Sequence, residues 1–94
     1  MSYSLKLPRR LKSAGWRVKI RDKERLELPH VTILHRARSW RFGLRDMQYL
    51  DLEPEPADIP DDLLTEVVAH IDDLRREWDA MYPGNRISGQ AEHE

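Results

Sequence analysis

In the C-terminal half of the chain the large apolar residues fall at Leu64, Val67, Ile71, Leu74, Trp78 and Met81, spaced three, four, three, four and three apart. That period marks one apolar stripe along an α-helix. The opposite side is acidic, with Asp62, Glu66, Asp72, Asp73, Glu77 and Asp79. Such a helix depends on packing more than on propensity, so its stripe must be covered. The rest of the chain therefore has to supply an apolar surface of matching size.

It supplies one in alternating segments. Trp16-Arg17-Val18-Lys19-Ile20-Arg21 alternates apolar and basic residues, the pattern of a half-buried strand. His30 to His35 predicts a second strand, with Val31 and Ile33 on one face and His30, Thr32 and Leu34 on the other. Trp40 to Arg45 alternates again and predicts a third. Polar turns are expected at 22–25 and 36–39, and Leu26-Glu27-Leu28 extends the ladder until Pro29 interrupts it. Upstream, Leu7 to Gly15 predicts a short helix, with Pro8 in its first turn and Gly15 just past its end. The predicted inner sheet face is Trp16, Val18, Ile20, Val31, Ile33, Trp40, Phe42 and Leu44, and the helix stripe should lie on it with Trp78 beside Trp16 or Trp40.

The expected fold is α+β: a short N-terminal helix, an antiparallel sheet of three to four strands, and a long C-terminal amphipathic helix covering one sheet face. Asp58 is the expected N-cap of that helix, Pro60, Asp61 and Asp62 suit its first turn, and Pro83-Gly84 should end it. Met47 to Leu50 reads as a short strand or a helical turn, and the acidic, proline-bearing stretch from Leu52 to Ala57 as an extended connection. Residues 1–84 read as one domain. Residues 85–94, with Ile87 the one large apolar residue, read as a loose tail.

Composition narrows the function classes. A chain of 94 residues has room for one domain. It has no cysteine, which excludes disulfides and thiolate metal sites. No apolar run approaches the roughly 20 residues of a membrane helix. The first eight residues lack an apolar stretch of signal-peptide length. The expected location is the cytoplasm, with no membrane partner. The formal net charge of −1 conceals a division. Residues 1–45 hold thirteen Lys/Arg against three Asp/Glu, a net of +10, and residues 46–94 hold three against fourteen, a net of −11. If the helix covers the apolar sheet face, these halves become opposite faces of one molecule.

The basic face is the first candidate site. Arg17, Lys19, Arg21, Arg41 and Arg45 are placed on the outer sheet surface, an array that can neutralise phosphates. The same pattern also describes a solvated surface whose arginines pair with Asp22, Glu24 and Glu27. Base stacking is not expected, because Trp16, Trp40 and Phe42 fall on the core side. His30 is the candidate acid or base, since histidine titrates near neutral pH and a neighbouring arginine could stabilise developing phosphate charge. Alternation sets His30 and His35 on opposite faces. With His70 on the helix and His93 in the tail, three converging metal ligands are not expected, nor is any cofactor.

Three stretches also carry a resemblance: Gly15 to Asp22, Leu28-Pro29-His30-Val31-Thr32-Ile33, and the helix that opens at Ile59-Pro60 and ends near Trp78. Over roughly residues 15–80 they resemble a family of small uncharacterised bacterial proteins. Its members have a strand, an acidic turn, a Pro-Pro-His-x-His strand, a further strand and a C-terminal helix. Leu28 stands at the first proline and Thr32 at the second histidine, so only His30 carries over. The resemblance implies a component of a toxin–antitoxin-like gene pair, partnered by RNA or by a cognate protein. The element order is also similar to that of small double-stranded-RNA-binding-like toxins, which cleave messenger RNA with one strand histidine. The resulting expectation is a toxin-like protein that interacts with RNA through its basic face and is capable of metal-independent cleavage. The alternative is a protein-interaction module without catalysis.

Overall fold

The computed structural model describes residues 2–22, 26–53 and 55–87. The elements are β1 (Tyr3–Ser4), α1 (Arg9–Ser13), β2 (Trp16–Ile20), β3 (His30–His35), β4 (Arg38–Gly43), α2 (Asp61–Ala69) and α3 (Ile71–Met81). The strands form one antiparallel sheet in the order β1-β2-β3-β4. The chain is α+β, as its sequence predicts.

The register explains the two faces. Val18 pairs with Ile33, and Ile33 with Trp40; Val31 pairs with Phe42. Paired residues point to the same side of a sheet, so these side chains form one apolar surface. All eight predicted inner residues are buried, and they share one cluster with Leu11, Leu63, Val67, Leu74 and Trp78 from the helices. The opposite surface carries Arg17 against Leu34, and Lys19 against Thr32 against Arg41.

Local chemistry sets the element ends. Pro8 precedes α1, and Gly15 follows it at φ +95°, a left-handed conformation in which a Cβ is strained. This turn feeds the chain straight into β2. The β3–β4 hairpin closes with two residues, Arg36 and Ala37, because His35 pairs with Arg38. The four-residue turn expected at 36–39 is therefore shorter, and β4 begins two residues earlier than predicted. Arg36 sits at φ 57° to make the tight reversal.

β1 was not legible from alternation, being only two residues long. Leu26 and Leu28 do not extend the ladder; both are exposed. The turn expected at 22–25 lies mostly outside the described residues. Met47 to Leu50 resolves into a return along β4: Gly43 donates to the Gln48 carbonyl at 2.8 Å, Leu50 donates to the Arg41 carbonyl at 2.8 Å, and Tyr49 bridges Phe42. This return occupies part of an otherwise open sheet edge.

The long C-terminal helix is two helices. At His70 (φ −109°, ψ 19°) the backbone leaves the helical region. The His70 Nδ1 lies 2.9 Å from the Glu66 carbonyl, and its N–H is shared between the Glu66 and Val67 carbonyls at 3.2 Å each. A side chain competing for the i−4 carbonyl loosens a helix at that point. The break also shifts the stripe, so that Leu63 is fully buried and Leu64 only partly. Asp58 does not cap α2. It lies in a 3-10 turn, Pro56–Asp58, and pairs with Arg38 at 2.8 Å, while the helix starts after Pro60 with no side-chain cap.

The expected loose tail begins with a docked stretch. Trp78 Nε1 donates to the Asn85 carbonyl at 2.7 Å, and Asn85 Nδ2 donates to the Glu27 carbonyl at 2.6 Å. Ile87 N donates to Asp79 at 2.7 Å, and Ile87 packs on the core. Residues 88–94 lie outside the described ones. Among the described residues no helix is long and apolar enough to cross a membrane.

Candidate nucleic-acid interface

The Gly15 turn, β2 and the β3–β4 hairpin converge on one groove, lined by Ser2, Gly15, Arg17, Lys19, Arg21, Asp22, Leu34 and Arg36. Arg17 and Lys19 reach it because alternation along β2 turns them away from the core. Arg21 continues the series just beyond the strand. Arg36 joins from the hairpin, across the Arg17–Leu34 pair. Residues two apart on a strand are separated by about 6.6 Å, so Arg17, Lys19 and Arg21 form a row spaced like successive phosphates on one nucleic acid strand.

Among the described residues none of these four cations has an acidic partner, and they share one groove. Four arginines elsewhere pair with carboxylates: Arg10 with Asp62 at 2.8 Å, Arg38 with Asp58 at 2.8 Å, Arg75 with Asp72 at 3.9 Å, and Arg76 with Asp73. Lys6 and Lys12 add charge nearby, lining a neighbouring groove with Arg17 and Lys19.

Two of the predicted phosphate contacts are already engaged. Arg41 is clamped by Asp51, with Nε at 3.0 Å and Nη2 at 2.8 Å, and reaches Glu27 at 3.3 Å. These bonds raise the pKa of the guanidinium still further above its ordinary value. In return the Arg41 side chain, followed by its backbone N–H, holds the Asp51 carboxyl below the usual carboxylate range, against the opposing effect of burial. Arg45 donates to the Ile87 and Arg86 carbonyls at 2.8 and 2.7 Å, fastening the docked C-terminal stretch. The sequence offered no sign of either partner, since both come from segments without periodicity.

His30 is not an exposed strand residue: its side chain is 0% exposed. Its ring lies 5.5 Å from Trp78, its Nδ1 is 2.7 Å from the Leu28 carbonyl, and Nε2 is 3.8 Å from Glu27. An imidazole nitrogen against a carbonyl oxygen must be the protonated one, which leaves Nε2 toward the Glu27 side. Thr32 is also buried, at 3% exposure. The expectation that His30 is exposed fails because Trp78 closes over its ring while Asn85 holds the Glu27 carbonyl in the same corner; Thr32 keeps its place on the outer face, covered between Lys19 and Arg41. His35 lies at the other end of β3, about 16 Å away along the strand. It stacks on Trp16 with ring centroids 4.1 Å apart, and its Nε2 is 3.1 Å from the Ala14 carbonyl. The two histidines do not share a site. Among the described residues no three His, Cys, Asp or Glu side chains are placed to hold a metal ion.

Sequence reasoning missed Arg36. A two-residue hairpin at Arg36-Ala37 would have placed it beside Arg17, but neither residue is a usual turn signal. The chain matches no protein-family model, no curated protein and no solved structure.

Proposed function

We propose that this is a cytoplasmic, toxin-like protein that binds RNA by its phosphate backbone, through the groove of Arg17, Lys19, Arg21 and Arg36. The observation that carries the reading is the contrast in pairing. These four cations converge on one groove without acidic partners among the described residues, while Arg10, Arg38, Arg41, Arg75 and Arg76 are paired with carboxylates. The absence of a large aromatic on the outer face among the described residues favours contact with phosphates over contact with bases. The toxin-like role rests only on the resemblance over roughly residues 15–80.

Cleavage by His30 is not part of this proposal. A general acid or base must come within hydrogen-bond reach of the reacting oxygen. The fully covered His30 ring would have to displace Trp78 or the Glu27 segment first. Its role in this reading is to pack the corner that Trp78 seals.

Fluorescence anisotropy with a short labelled RNA tests the proposal. Four neutralised phosphates give a slope of about −3 to −4 in a plot of log affinity against log salt concentration. Arg17→Glu with Arg36→Glu should abolish binding, and Arg41→Gln should weaken it far less, because Arg41 is already satisfied. Failure to bind RNA at low salt would overturn the reading. Equal losses in the Arg41 and Arg17/Arg36 variants would overturn the placement of the groove.

A further inference from the structure

A second groove adjoins the basic one and has the opposite character. Tyr3, Met81 and Tyr82 give it an apolar floor, and Glu77 gives it a carboxylate. Glu77 has no cationic partner among the described residues. It lies close enough to Tyr3 to help burial raise the pKa of the phenol, with Asp73 contributing less. The two grooves meet at one rim, since Ser2 and Asp22 line both. Arg21 straddles that rim: its side chain lines the basic groove while its carbonyl accepts the Tyr82 hydroxyl.

Two opposite patches that share a rim have a geometric consequence. A two-fold axis through the rim sets the basic groove of one copy against the acidic groove of the other, and does so twice. Each cation row then meets Glu77 of the second copy, and the apolar floors are removed from water in the same step. We infer that this surface is the interface of an isologous dimer, in which a second copy of the chain occupies both grooves. The inference stands on the two grooves and does not require the RNA reading. If that reading also holds, dimer and RNA compete for the same cations, and the free dimer is a stored form.

Sedimentation equilibrium tests the dimer without RNA. The wild-type chain should dimerise at low salt. Raising the salt should weaken the dimer at least tenfold, because the Debye length falls to about 10 Å at 0.1 M. Arg17→Glu/Arg36→Glu and Glu77→Lys should each be monomeric, since each variant alone sets like charges opposite one another. Mixed in equal amounts, the two variants should form a heterodimer, because the reversed basic groove of one faces the reversed acidic groove of the other while the second contact remains native. Circular dichroism checks that each variant is folded. A wild-type chain that stays monomeric at low salt would overturn the inference. So would folded variants that fail to associate when mixed. Association into species larger than a dimer would exclude the two-fold arrangement. Loss of RNA binding with the dimer intact would count against the RNA reading alone.

Discussion

Trp78 offers the sharpest test of how the fold is held. Its side chain is fully buried, with Tyr82 at 4.3 Å and His30 at 5.5 Å between ring centroids, and its Nε1–H donates to the Asn85 carbonyl at 2.7 Å. Trp78→Ala removes this packing and leaves a cavity, a change that costs about 3–5 kcal/mol in well-packed cores. A chain of this size has a total stability of roughly 5–14 kcal/mol. The substitution should therefore lower Tm by about 12–40 °C. Urea unfolding followed by circular dichroism gives the free energy directly. Trp78→Phe keeps most of the ring contacts and loses the donated hydrogen bond, so about 1–2 kcal/mol is expected. A double-mutant cycle with His30→Ala should return a coupling of about 0.5–1.5 kcal/mol, the value of an aromatic contact. A Trp78→Ala variant within 1 kcal/mol of wild type would refute the proposed core. Zero coupling would refute the placement of Trp78 over His30.

Deleting residues 85–94 removes the Asn85, Arg86 and Ile87 contacts with Trp78, Glu27, Asp79 and Arg45. About 2–4 kcal/mol should be lost at roughly 1 kcal/mol per hydrogen bond or less, and an unchanged Tm would show that the stretch does not dock in solution. Asp51 should make stability acid-sensitive. Its pKa is depressed in the folded chain from an ordinary value of 3.8, so its contribution is complete above that value and fades as pH falls through the lower folded one. Arg41 is 41% exposed, and allowing for solvent screening the effect is about 1–2 kcal/mol. Asp51→Asn should flatten the acid limb of the stability curve, and an identical limb in both proteins would remove Asp51 as its cause.

Periodicity alone settled a good deal. Strict alternation in Trp16 to Arg21 and in Trp40 to Arg45 identified the inner face, and the stripe through Val67, Leu74 and Trp78 identified its cover. These are local properties, because the direction of a side chain follows from the period of the backbone that carries it. The basic row of Arg17, Lys19 and Arg21 was legible for the same reason. The tertiary structure decided which charges were left over. Asp51 reaches Arg41, and the Ile87 carbonyl reaches Arg45, from positions 10 and 42 residues further along the chain, in segments with no pattern to announce them. Burial of His30 was decided in the same way. Alternation placed it outward with Thr32, and only the docking of Trp78 and Asn85 closed that end of the sheet. A pattern of period two reports which side of a strand a residue occupies; whether that side meets water depends on what distant chain arrives to cover it.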